Sequence, residues 1–288
     1  MLGGTVISRS RPAVMAIINL TTDSFYGPAR YSTALEAVAA AEQALADGAT
    51  IIDLGAVRAG EEGEWVTAAQ EIDRLRPVVD LLRGQRPDLI ISVDTWRSEV
   101  VGALADLRID LVNDTWAGHD PYVVHAAAEV GAGIVCSHTG GLPPRTDPRG
   151  VSYPPEPDGI VSSVVAELMA GANRALGAGI PPSRILLDPT LDFGKTTNHS
   201  LSLLRNTATV VDLGYPTMQA ISRKDFVGET LDRTVDDRLP GSLAATAVAA
   251  WLGATVFRSH DVRPTRDVLD MVASIAGARA PSVSRRGL

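Results

Sequence analysis

The 288-residue sequence has one cysteine, Cys136, so no disulfide can form within the chain. It falls in the apolar run GAGIVCSH and reads as a buried structural thiol. Aromatic residues are scarce at 5%, so the core has to be built from Ala, Val, Leu and Ile. That mix favours many helices packed on short aliphatic strands. There is no basic excess: 26 Lys and Arg against 34 Asp and Glu leave a net charge of −8. Such a balance argues against a nucleic-acid partner, which needs a basic surface. It leaves room for a small anion in a local basic pocket. No run of about 18 apolar residues occurs, and the N-terminus MLGGTVISRSRP has no apolar signal core. The sequence therefore reads as a cytoplasmic protein without a membrane partner. Also missing are a GxGxxG after the first strand, a Cys/His metal spacing and a Ser-His-Asp elbow.

What is present is a repeated alternation. Short β-branched runs occur at 13–18, 50–54, 89–93, 109–112, 133–137, 185–187, 216–221 and 254–257. Each has the continuous apolar character of a strand buried on both faces. Between them lie segments of helical periodicity. STALEAVAAAEQALADG opens on a serine that reads as its cap and stops at Gly48. TAAQEIDRLRPVVDLLRG opens at Thr67, with Gln70 placed for a capping box. Eight β-α units with no linker predict a single-domain α/β fold over 1–288, a closed (β/α)8 TIM barrel. One long Pro/Gly-rich segment, 139–159, interrupts the pattern and reads as a functional or mobile loop.

In such a barrel, chemistry sits at the carboxyl ends of the strands. The first polar residues there are Asn19 and Asp23, Asp53 and Arg58, Asp94, Asn113 and Asp114, His138, Asp188 with Lys195, then Ser222, Arg223 and Lys224, and finally Arg258 and His260. Some have plain structural readings. Asp53 lies inside its strand and reads as a supporting partner. Asp114 reads as a helix cap. His119 and His125 read as surface groups, and His199 as a structural residue at a helix start. Asp94, Asn113 and Asp188 are different, because strands 3, 4 and 6 aim all three into one mouth. Two carboxylates, an amide and a lysine suit a polar heterocycle. Arg58, Arg258 and His260 suit phosphate or pyrophosphate. Asn19 and Asp23 suit a hard cation such as Mg²⁺.

The ordered segments IINLTTDSF, GATIIDLG, SVDTWRSEV, LVNDTWAG, LDPTLDFGK, SRKDFVGETL and FRSHDV resemble the signature segments of dihydropteroate synthase, over nearly the whole chain. The resemblance implies a TIM-barrel transferase, a homodimer, that joins p-aminobenzoate to 6-hydroxymethyl-7,8-dihydropterin pyrophosphate with Mg²⁺ and is a target of sulfonamide-type inhibitors. It implies that Asp94, Asn113, Asp188 and Lys224 bind the pterin, with Phe193 as a wall. Arg258 and His260 would hold the pyrophosphate, joined by Arg58. Phe25 and Lys224 would flank the aminobenzoate, and Asn19 would lie at the metal. Asp94, Lys224, Arg258 and His260 are the residues it marks as catalytic.

The departures are specific. Thr22 stands where the family has proline in the first loop, which removes a fixed φ. The second loop, GAVRAG, lacks the family's Ser-Thr pair and has Ala59 for its proline. SHTG replaces Met-His-Met after the fifth strand, and Asp225 stands where the family carries Ser or a basic residue. A carboxylate there lies near the expected aminobenzoate carboxylate, and like charges about 4 Å apart cost about 1 kcal/mol in water. GAVRAGEEGEW, DTWAG, CSHTGG and GETLDRT are similar to the divergent second paralogue of actinobacteria, which implies weak synthase activity or, as the alternative, pterin binding without it.

Overall fold

The computed structural model describes residues 4–21, 31, 33–58, 65–146, 151–155 and 159–286. Eight strands form at the expected places: β1 (Ala13–Asn19), β2 (Ile51–Gly55), β3 (Ile90–Asp94), β4 (Leu111–Asn113), β5 (Gly133–Cys136), β6 (Ile185–Leu187), β7 (Met218–Ala220) and β8 (Val256–Ser259). All pair in parallel in the order β6-β5-β4-β3-β2-β1-β8-β7. A bridge between Leu187 and Thr217, with Leu187 N donating to Pro216 O at 2.9 Å, joins the two ends into a barrel.

The helices pack outside: α1 (Ala34–Ala46), α2 (Ala68–Gln85), α3 (Ser98–Ala103), α4 (Val123–Glu129), α5 (Gly159–Gly177), α6 (Thr197–Arg205), α7 (Thr207–Val211), α8 (Asp225–Leu231), α9 (Leu239–Trp251) and α10 (Val262–Ile275). The capping box at Thr67 and Gln70 forms as the spacing predicts. The cap of α1 is Thr33, one residue later than the expected serine. Its hydroxyl accepts from Glu36 N while Glu36 returns to the Thr33 amide. Threonine wins there because the glutamate three residues on completes the box. Asp114 caps no helix. Its carboxylate accepts from the amides of Trp116 and Gly118, closing the turn after β4.

Period-two alternation arranges the barrel interior in layers. At the bottom, Ala13, Met15, Ile51, Ile90, Leu111, Val135, Leu186, Met218 and Val256 form a sealed apolar plug with contributions from every strand. Two residues further along, the same inward direction falls on Asp53, Ser92, Asn113, Asp188 and Arg258. Two further again, it falls on Asn19, Asp94, Ser222 and His260. The sequence thus switches from apolar to polar one step above the plug. Among the described residues, no helix is long and apolar enough to cross a membrane.

Candidate functional site

The floor of the mouth is a buried ionic network. Arg258 donates through Nε to Asp53 Oδ2 at 2.6 Å and through Nη2 to Asp94 Oδ2 at 2.7 Å. Asp53 is wholly buried and also accepts from Ser92 Oγ at 2.6 Å and Asn113 Nδ2 at 3.1 Å. Thr115 Oγ1 donates to the other oxygen of Asp94. Burial lowers the Arg258 pKa, but the two carboxylates outweigh it and hold the guanidinium above its ordinary value. Burial pushes the Asp94 carboxyl up to about 7; Arg258 opposes the shift and Asp53 adds to it. Asp53, expected as a supporting partner, anchors Arg258 and Asn113 together.

On the β6–β7 side, Asp188 is buried, and burial raises its pKa against the pull of Lys224. Its carboxylate accepts from Thr190 N at 2.8 Å. Lys195, which the sequence places beside Asp188, turns away from the mouth. Its ammonium donates to the carbonyls of His138, Thr190 and Phe193 at 2.8–3.0 Å. Burial pushes this lysine down to about 7. Lys224 Nζ donates to Leu191 O and lies 5.1 Å from the centre of the Phe193 ring, which meets Trp116 edge-on at 5.4 Å. Arg223 is taken up structurally, bidentate to Asp261 at 2.9 Å and donating to the carbonyls of Val235 and Asp236.

A cavity of about 320 Å³ opens above this floor. Asp94, Phe193, Lys224, Arg258 and His260 line it, and so do Asn19 and Arg58 from the β1–β2 side. His260 differs from its expected cationic state. Burial, reinforced by Arg258 and Arg223, pushes its imidazole down to about 3, so it is neutral at pH 7. Ser222 Oγ accepts from the His260 amide at 3.2 Å and lies 3.1 Å from Nδ1. With the hydroxyl proton assigned to Nδ1, the ring carries its own proton on Nε2. Among the described residues no group of three or more His, Cys, Asp or Glu could hold a metal. Asn19 Oδ1 and Asp94 Oδ2 lie 3.6 and 3.7 Å from the point where a Cβ on Gly55 would sit. Asp94 Oδ2 already accepts from the Arg258 guanidinium, so Asn19 Oδ1 is the donor that suits a Mg²⁺ keeping most of its shell as water and phosphate oxygen.

Residues 15–260 match the protein family described as pterin binding enzyme. The chain is 49% identical over 288 residues to a Mycobacterium leprae protein named inactive dihydropteroate synthase 2, covering 100% of this chain and 99% of that one. The chain belongs to the dihydropteroate synthase family. The dihydropteroate synthase of Escherichia coli is 33% identical over 276 residues, 96% of each chain. The Yersinia pestis dihydropteroate synthase, solved with a sulfonamide drug, superposes with a TM-score of 0.87 at 31% identity over 97% of this chain and 99% of that one.

Of the dihydropteroate synthase positions named from the sequence, the fold gathers Asn19, Arg58, Asp94, Asn113, Asp188, Phe193, Lys224, Arg258 and His260 at one end of the barrel. Phe25, with Asp23 and Ala59, lies outside the described residues. Asp225, expected to repel an aminobenzoate, is held by Arg238 Nη1 at 2.7 Å, and its side chain is 73% exposed. His119 and His125 are exposed as expected, and His199 Nδ1 accepts from Thr196 N in the α6 capping box. Sequence reasoning passed over Ser92, Thr115, Arg238 and Asp192. The alternation from Ile90 through Ser92 to Asp94 was the available signal for Ser92.

Proposed function

We propose that this protein binds a reduced pterin in the barrel mouth and that its transfer of the pterin to p-aminobenzoate is slow. One observation carries the first half: Asp94, Asn113, Asp188 and Lys224, which together present acceptors and donors, converge on one buried floor. A flat heterocycle with ring and exocyclic N–H groups pairs with ionised Asp94 and Asp188, while Lys224 donates to its ring acceptors. The Phe193 ring covers one side. The same carboxylates favour positive charge developing on the pterin as its diphosphate departs. The His260 Nε2 proton and Arg258 face the leaving oxygens as donors. Mg²⁺, held by Asn19, would supply Lewis-acid neutralisation of the diphosphate.

The second half rests on the β2 loop. Among the described residues of that loop, Val57 and Arg58 line the cavity, so an apolar group stands among the contacts where a hydroxyl would donate to phosphate. A relative at 49% identity carries a name that calls it inactive, which supports the same reading. The test is a titration of the pterin, followed by pyrophosphate release with the pterin pyrophosphate, p-aminobenzoate and Mg²⁺. Micromolar pterin binding with turnover about a hundredfold below that of the Escherichia coli relative is expected; roughly 2.7 kcal/mol of lost transition-state binding corresponds to that factor. Equal turnover, or no pterin binding, overturns the reading.

A further inference from the structure

Asp192 lines the cavity on the β6–β7 side, next to Phe193 and near Lys224 and Asp225. Its backbone is left-handed, at φ 72°, which few residues other than glycine, asparagine and aspartate adopt. The carboxylate is fixed by two neutral donors: Ser200 Oγ at 3.1 Å on Oδ1 and Phe226 N at 3.3 Å on Oδ2. Neither partner cancels its charge. Burial raises its pKa and Lys224 opposes that shift. The cations within its electrostatic reach are Lys224, which also answers to Asp188, and Lys195, whose ammonium is held by three backbone carbonyls. Asp225 is a poor competitor for control of this wall. It also borders the cavity, but its side chain is largely exposed and Arg238 already pairs with it. Exposed pairs of that kind project little field.

The cavity therefore has two electrostatic sides. Toward β8, β1 and β2 lie Arg258 and Arg58; toward β6 and β7 lie Lys224 and Arg223, whose charges are matched by protein carboxylates. We propose that Asp192 is the residue that sets which second ligand this barrel takes, selecting an uncharged or cationic arylamine over one bearing a carboxylate. The slot beside the Phe193 ring still suits an aromatic body. An anionic substituent there meets the Asp192 charge in a half-buried setting, where like charges repel several times more strongly than in water. An amide of the same shape escapes that repulsion.

This inference rests on the pterin reading, and one experiment separates the two. With the full chain, pterin binding is first measured by calorimetry. p-Aminobenzoate and its neutral isostere p-aminobenzamide are then titrated into the pterin-loaded protein. Wild type is expected to bind the amide about tenfold more tightly than the carboxylate. Asp192→Asn retains the side-chain shape and tolerates the left-handed backbone. It should tighten the carboxylate about tenfold while leaving the amide within about twofold. Asp225→Asn should change the ratio by less than about twofold. A wild-type preference for the carboxylate overturns the proposal, as does a ratio that responds to Asp225→Asn and not to Asp192→Asn. Equal losses of both ligands in Asp192→Asn would mean a merely structural role and also overturn it. Absent pterin binding overturns the functional reading itself and this inference with it.

Discussion

Arg258 and Asp53 stand 205 residues apart in the chain and meet at 2.6 Å on the barrel floor. The arginine enters from β8 and the aspartate from β2, with β1 between them. Their pairing aligns the Asp94 carboxylate and the Asn113 amide above the apolar plug. Two acids share one guanidinium, so removing either leaves the other components poorly compensated.

Asp53→Ala should lower stability by about 3 kcal/mol or more, because a buried guanidinium loses one partner and Ser92 and Asn113 lose their acceptor. Asp53→Asn keeps part of the hydrogen bonding and should cost less. Urea denaturation reads both. A loss below about 1 kcal/mol in the alanine variant would show that the network contributes no net stability.

Pterin affinity should rise with pH through about 7, the value to which burial pushes the Asp94 carboxyl. Below it the acid holds its proton and is a weaker acceptor for a ring N–H; above it the carboxylate accepts with full charge. From pH 5.5 to 8 the dissociation constant should fall about tenfold. In Asp94→Asn the dependence should flatten. The stability sign is opposite to that of an ordinary ion-paired acid. Between the unfolded value and about 7 the folded chain binds the extra proton, so this group's contribution weakens as pH rises through that window.

His260 predicts acid sensitivity. Its folded pKa of about 3 lies below the unfolded value of 6.5, so as pH falls below 6.5 the unfolded chain takes up a proton that the folded chain refuses. Stability then drops toward pH 3. His138, also held near 3 by burial and then Lys195, adds a similar slope. His260→Gln should remove up to about 1.4 kcal/mol per pH unit from the acid limb, one proton's worth. Chemical denaturation at pH 6, 5 and 4 checks it. An unchanged slope would mean that the imidazole protonates in the folded state.

Val57→Thr should raise pyrophosphate release about fivefold, the value of one added hydrogen bond of about 1 kcal/mol. The hydroxyl would stand where the β2 loop enters the cavity. Steady-state kinetics distinguishes a gain in kcat from one in KM. If neither moves, phosphate contacts made elsewhere limit the reaction.

Much of the barrel was legible because each strand carries a local signal. Ile90, Ser92 and Asp94 alternate so that one face reads apolar, then polar, as the strand rises to the mouth. The capping box of Thr67 and Gln70 is likewise written in four consecutive positions. Where two candidates competed, as at the start of α1, the reciprocal partner Glu36 decided for Thr33. Lys195 follows Asp188 closely in the chain, and position alone groups it with the mouth residues. Its three carbonyl partners come from the β5 and β6 loops, and their convergence is not a local property.

The sequence by itself determined the eightfold alternation, the polar residues at the strand ends, and the family, since each rests on the order and period of residues along the chain. Charge states and partners were decided only by tertiary structure. His260 is neutral because it is buried beside two arginines. Asp225 is quiet because Arg238 folds back onto it. Asp192 faces the cavity because the β6 loop turns left-handed there. Electrostatic energy depends on distance and on exclusion of water, and neither is defined until segments far apart in the chain are packed together.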